Sequence, residues 1–335
     1  MPDPARPAAT PPHAARRRVV VAGASGLVGS ALVERLRADH VEVHTLVRRP
    51  ARSAQEHEWL TDERPLDPAV LGGAAAVVSL GGASIGRLPW TPSYRRELLR
   101  SRLRPTTTLA RAIRALGAEA PVFLSASAVG YYGSQPGVRL NEAAAPGRGF
   151  LAGLVGQWEA AARGAGPHAR TVLLRTSPIV HPTGVLAPMM RLTRLGLAGP
   201  LGRGTQAMPW ISLTDEVRAI SHLLAGALGA HPTGEADARA GSTHAHEIDG
   251  PVNLAGPTRA SANDLGFALA IALNRPYLLR APACALRLAL GRDMADGLLL
   301  ADAHVVPAAL QTSGFTFTHA TVEEAVRDAV APEAA

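Results

Sequence analysis

A doubly wound α/β fold, a parallel sheet with helices on both faces, is predicted by three features of this 335-residue chain. Residues 19–29 read VVVAGASGLVG, an apolar strand running into a glycine-rich turn and then into helical spacing. As far as residue 180, short β-rich apolar runs alternate with helical segments, the rhythm that builds a parallel sheet. Composition supplies the core, with 47% hydrophobic and 18% charged residues, and no apolar run approaches the roughly 20 residues that span a bilayer. Neither a membrane nor a signal segment is expected.

Taken in order, Arg17 to Val21 is the first strand, and Ser30 to Ala38 places Leu32, Val33 and Leu36 on one helical face. Val41 to Val47 and Ala74 to Leu80 are strands, and Pro92 to Leu116 is helical, with a kink expected at Pro105. Pro121 to Ser125 is a strand, Gly149 to Arg163 a helix and Thr171 to Arg175 a strand. Beyond Val180 the chain becomes turn-rich until a helix at Thr214 to Leu228, and further helices are predicted at Asn263 to Leu273 and Ala283 to Leu290. In FTFTHATVEEAVRDAV a strand is expected to lead into a helix capped by Thr321, with Glu324 three residues on. These elements divide the chain into a Pro- and Ala-rich disordered tail (1–16), a nucleotide-binding domain (17–180, its sheet completed within 181–256) and a small C-terminal domain (257–330).

The turn carries the first functional signal. Gly23, Gly26 and Gly29 sit between strand and helix, where they permit a tight turn, close approach of a pyrophosphate and close packing of helix on strand. The segment Gly23, Ala24, Ser25, Gly26, Leu27, Val28 and Gly29 then offers its backbone and a helix N-terminus to phosphate. About 20 residues further on, an acid would meet a free ribose 2′-hydroxyl. Arg48 and Arg49 stand there instead, and a guanidinium fork suits a 2′-phosphate, so NADP is favoured over NAD. Leu80, Gly81, Gly82 and Ala83 put small residues at the end of another strand, on the edge a dinucleotide crosses.

Other ligands are disfavoured. Net charge is +7, but the arginines are scattered apart from Arg16 to Arg18 and Arg48 to Arg49, with no zinc spacing or RNA-binding motif, so nucleic acid is not expected. His231, His244 and His246 lie in a polar loop with no second shell, and no metal is assigned to them. Cys284 is the sole cysteine, which leaves no intrachain disulfide and makes a cytoplasmic location the expectation. Nothing in the sequence specifies an oligomer.

Further motifs carry a resemblance: LGGASI at 80–85, WTPSYRRELLRSRLRPTTTLARAI at 90–113, LSASAVGYYG at 124–133, FLAGLVGQWEAAA at 150–162, then LRTSPIV, GPLGRGTQAMPWISLTDEV, GPVNLAGP and PAALQTSGFTF. With the opening turn, they resemble the extended short-chain dehydrogenases and reductases, within them an atypical epimerase-family branch, over residues 17–330. The resemblance implies a Rossmann sheet of seven parallel strands with a C-terminal region closing the substrate side. Ser212 stands where that branch usually has His, and Ser177 where Gly is common.

The same resemblance poses the chemical question. Ordinary members use a Ser, a Tyr and a Lys four residues after the Tyr, the Lys lowering the phenol's pKa. All 34 basic residues here are Arg, so that pair cannot exist, and Leu151 and Val155 fall at its positions. Ser127 matches the substrate-facing serine, and Ser125, Ala126 and Arg175 are placed against the cofactor. Tyr132 or Tyr131, in the loop after the serine strand, or a water, are candidates for the missing proton donor, with Arg175 a partial substitute for the missing cation; both tyrosines read equally as packing residues of the loop. Arg203, Gln206 and Trp210 are implied on the substrate side, whereas Asp215 is equally well the first turn of a helix. Two readings follow: an NADP-dependent oxidoreductase or epimerase-like enzyme acting on a small molecule, or a non-catalytic NADP(H)-binding redox sensor.

Overall fold

A computed structural model describes residues 18–229 and 248–331; the expected tail and His231, His244 and His246 lie outside them. The strands are β1 (Arg18–Ala22), β2 (Glu42–Val47), β3 (Glu56–Glu58), β4 (Ala76–Ser79), β5 (Val122–Ala128), β6 (Arg139–Leu140), β7 (Thr171–Thr176), β8 (Ile179–Val180), β9 (Ile211–Ser212), β10 (Gly250–Leu254) and β11 (His304–Val305). The helices are α1 (Leu27–Ala38), α2 (Pro92–Ala115), α3 (Phe150–Arg163), α4 (Leu186–Arg194), α5 (Leu213–Ala225), α6 (Ala262–Ala272), α7 (Ala283–Leu290), α8 (Arg292–Met294), α9 (Ala308–Thr312) and α10 (Val322–Val330).

Seven strands form one sheet in the order β10-β7-β5-β4-β1-β2-β3, with every pairing parallel. Side chains alternate across a strand, so β1 serves two cores. Val19 and Val21 join Leu32 and Leu36 of α1 and Ile220 and Leu223 of α5. Val20 and Ala22 face Leu109 and Ile113 of α2 and Ala162 of α3. Both faces are thereby covered, which explains why these strands read as continuous apolar runs. The strand order turns at β1 and β4, where successive connections leave in opposite directions, and a crevice opens at their carboxyl ends.

The C-terminal part closes over that edge. Val322 and Val326 of α10 pack with Leu265 and Leu269 of α6, and β11 pairs with β6 in the chain that follows β5. Asp215, in the first turn of α5, accepts the amides of Thr318 (2.7 Å) and His319 (3.1 Å). It is a clamp on the C-terminal segment, as its helix-start alternative allowed, and not a ligand group.

Several elements depart from expectation. Residues 315–320 form no strand; Phe315 and Phe317 pack edge to face, centroids 4.9 Å apart, against the α1–α5 core, so their alternation marks a plug. The helix after them has the predicted capping box of Thr321 and Glu324. Helix α2 runs unbroken through Pro105. Strand β3, Glu-His-Glu, is too polar to be read as a strand and exists only as an edge beside β2. No helix among the described residues is long and apolar enough to cross a membrane.

Candidate cofactor and substrate site

The glycine turn is built as a cradle. Gly23 has φ +87°, and a Cβ on it would lie 2.8 Å from the Gly81 amide; a Cβ on Gly29 would lie 2.1 Å from the Gly23 carbonyl. These two glycines therefore join β1, α1 and the end of β4 through backbone contact alone. Gly26 caps α1 without a side-chain bond, and no acid occupies the first turn. The first helical bond runs from Ser30 N to Gly26 O at 2.8 Å, leaving the Leu27 and Val28 amides without intrahelical acceptors, the arrangement that draws phosphate. A Cβ on Gly81 would meet nothing within 4 Å. Its surface is open toward the crevice. The neighbouring backbone is fixed from α2, since Ala83 N donates to Ser101 Oγ (3.0 Å) and Arg102 Nη2 to Ala83 O (3.1 Å). Arg102 lies over the Trp158 ring, and burial lowers its pKa.

At the end of β2 the two arginines diverge. Arg49 grips Glu56 with both terminal nitrogens at 2.7 Å, and Glu56 also accepts the Arg52 amide at 2.7 Å. The hydrogen bond from Arg49 holds the Glu56 carboxyl down to about 2. Arg49, expected at the cofactor, is thus engaged with the β2–β3 loop. Arg48 is exposed and its side chain has no partner among the described residues.

Beside the crevice, the residues expected to do chemistry turn inward. Ser127 on β5 and Arg175 on β7 are register partners, so both side chains leave the sheet toward α3 and reach Glu159. Ser127 Oγ donates to Glu159 Oε1 at 2.7 Å, and Arg175 donates to Oε1 at 2.8 Å and to Oε2 at 3.0 Å. Arg175 Nη1 also donates to the Tyr132 hydroxyl (2.8 Å), which in turn donates to Asn253 Oδ1 on β10 at 2.7 Å. Arg175 is 2% exposed and Tyr132 0%. Burial pushes the Tyr132 phenol up in pKa, with Arg175 opposing. Ser127, Tyr132 and Arg175, the residues expected at the substrate and cofactor, thus share one internal hydrogen-bond network. Ser125 is likewise fully buried.

Glu159 and Asn253 escaped the sequence reading. A signal existed: Leu151, Val155 and Glu159 are spaced i, i+4, i+8 on one face of α3, a lone acid continuing an apolar stripe aimed at the sheet. Leu151 and Val155 occupy that face as plain wall, Leu151 lying 3.4 Å from where a Cβ on Gly130 would be. Tyr131 differs from its neighbour. Its ring centroid lies 3.6 Å from the Arg175 guanidinium carbon, it is only half-buried, and its hydroxyl has no hydrogen-bond partner among the described residues.

On the C-terminal side, Gln206 and Trp210 are buried. Trp210 Nε1 donates to Thr258 O at 3.1 Å, and the residue lines a small recess with Met208, Gly256 and His304. Gln206 Nε2 donates to Leu201 O and Leu299 O, both at 2.9 Å. Its amide forms the fixed floor of an open cavity of about 620 Å³, where Arg203 is exposed on the wall. No group of three His, Cys, Asp or Glu side chains among the described residues could hold a metal ion.

The fold is shared with known proteins. Residues 19–233 match the NAD dependent epimerase/dehydratase family. The chain belongs to that family. Residues 281–329 of this epimerase/dehydratase-family chain also match a domain of unknown function, DUF1731. An epimerase family protein of Mycobacterium bovis is 38% identical over 310 residues, covering 92% of this chain and 96% of the relative. Human epimerase family protein SDR39U1 is 29% identical over 320 residues, covering 94% of this chain and 100% of its own length. A crystal structure of the human protein with NADPH superposes with a TM-score of 0.79 at 27% identity, covering 93% of this chain and 99% of that one. The atypical epimerase-family resemblance and the Rossmann fold are thus established for this family member.

Proposed function

We propose that the protein binds NADP(H) along the carboxyl edge of its sheet and uses it in hydride transfer with a small carbonyl compound. The observation that carries the cofactor reading is Arg48 just after β2, exposed and unpaired among the described residues, together with the free amides at the start of α1. The human relative solved with NADPH supports the same choice. When bound, the nicotinamide supplies the hydride; the chain's own residues position the substrate and handle its proton. Of Tyr131 and Tyr132, Tyr131 is the one whose hydroxyl is unengaged among the described residues, so it is the donor to the substrate oxygen.

A second reading has its own observation. Ser127 and Tyr132 hold their hydroxyl protons on Glu159 and Asn253, which suits a protein that senses NADP(H) without turnover. Calorimetry with NADPH and NADH tests the cofactor, and NADPH oxidation against a panel of aldehydes and ketones tests the chemistry. Turnover lost in Tyr131→Phe with NADPH affinity kept supports the enzyme. Tight NADPH binding with no oxidation by any carbonyl supports the sensor, and absence of NADPH binding removes both.

A further inference from the structure

We infer that the cavity between α7 and the 201–206 turn is an anion pocket, and that the small molecule it takes carries a carboxylate or phosphate group. With about 620 Å³ it is of the size that holds a metabolite. Three guanidinium groups line it, from Arg203, Arg280 and Arg287. Arg203 is pinned by Asp302 and Arg287 by Asp296, each at 2.8 Å. Arg280 is held through Nε by the Gly202 carbonyl at 3.1 Å, and its two terminal nitrogens have no partner among the described residues. Three cations thus face two carboxylates, and the unmatched pair of donors has the fork geometry that an oxyanion fills.

The rest of the lining fits a small ligand with an apolar body. Leu300, Pro282 and Ala283 supply apolar wall. Gln206, fixed by the Leu201 and Leu299 carbonyls, gives a floor that needs no rearrangement. The segment Leu298 to Asp302 connects this cavity to the proposed reacting end: Leu298 packs in the cluster that contains Tyr131, Leu300 lines the cavity and Asp302 holds Arg203. An acid anchored at Arg280 lies against the same stretch of chain that packs on Tyr131. That last step rests on the hydride-transfer reading; the anion site itself does not.

The test is calorimetric titration of the full chain with succinate and with inorganic phosphate, at constant ionic strength, in an Arg48→Asp background that removes the phosphate contact proposed at the end of β2, the Arg280 variant separating the pocket from any anion held at the glycine turn. Binding of succinate, of phosphate or of both is expected, the preferred probe naming the oxyanion, and Arg280→Glu is expected to weaken it by about tenfold or more, the scale of a lost charge-assisted fork. Arg287→Gln gives a second, milder loss from the exposed helix α7, and Arg64→Glu, on a distant loop, gives none. Failure of both probes to bind, or affinity unchanged in Arg280→Glu at an unchanged melting temperature, overturns the inference. Separate NADPH titration of the wild type keeps the two readings apart: Arg280-dependent anion binding without NADPH binding sinks the cofactor proposal and leaves the pocket standing.

Discussion

The Arg175 guanidinium meets the Glu159 carboxylate side-on, Nε to Oε1 at 2.8 Å and Nη2 to Oε2 at 3.0 Å, with both side chains out of water. A buried pair persists when its remaining atoms are satisfied, and here Ser127, Tyr132 and the Glu142 carbonyl supply the partners. The network ties β5, β7, β10 and α3 together directly beneath Tyr131.

Substitutions in this network are expected to act on stability first. Glu159→Leu leaves the Arg175 charge buried without a counter-ion, at a cost of about 3–5 kcal/mol. Ser127→Ala removes one hydrogen bond to a charged acceptor, about 1.5–3 kcal/mol, while NADPH affinity and turnover per folded molecule stay at wild-type levels. Urea unfolding and a cofactor titration on the same samples check this. A Ser127→Ala protein of full stability and no turnover would return Ser127 to the substrate.

Two glycines of the cradle separate fold from ligand. A Cβ at Gly29 collides with the backbone of Gly23 and Ala24, whereas one at Gly81 enters open space. Gly29→Ala is therefore expected to lower the melting temperature sharply. Gly81→Ala keeps the wild-type melting temperature and loses NADPH affinity, because the added methyl occupies the cofactor's path. Thermal unfolding with and without NADPH distinguishes them, and a Gly81→Ala protein that binds NADPH normally would move the cofactor's path off this edge.

Arg48 and Arg49 are adjacent but not equivalent. Arg48→Asp is expected to weaken NADPH by about 10- to 100-fold, the scale of charge-assisted phosphate contacts, with little change for NADH. Arg49→Ala breaks the fork on Glu56 and frees the 49–56 loop, so NADPH and NADH change together and by less. Equal losses in NADPH affinity for the two variants would show that Arg49 leaves Glu56 to bind the phosphate.

Strands, long helices and the cradle were legible because each writes a local pattern: short continuous apolar runs on a sheet buried on both faces, an apolar stripe on α1 and α3, glycines where backbone touches backbone. Site orientation was not. Nothing within LSASAVGYYG says that Tyr132 points down to Asn253 and Tyr131 does not, since that depends on β10, more than a hundred residues later. The role of Arg49 likewise turns on Glu56 in a strand too polar to be recognised. Long-range pairing decided both, and a single sequence carries no record of it.

Glu216 gives the pH dependence its sign. On α5 it is 1% exposed, its Oε1 accepts from Thr176 Oγ1 at 2.7 Å, and its Oε2 has no partner among the described residues. Burial pushes its carboxyl from the ordinary 4.5 up to about 8. Between those values the native state holds a proton that the unfolded chain has released, so stability is fully present below the lower value and falls as pH rises toward the upper one, by up to about 1.4 kcal/mol per pH unit. Glu216→Gln keeps the acceptor for Thr176 and has no proton to lose. Its unfolding free energy is expected to match wild type near the acidic end of that window and to exceed it increasingly toward the alkaline end. Urea titrations of both proteins across the window provide the measurement. Parallel curves would mean that Glu216 ionises normally in the native state, with water or a cation reaching Oε2.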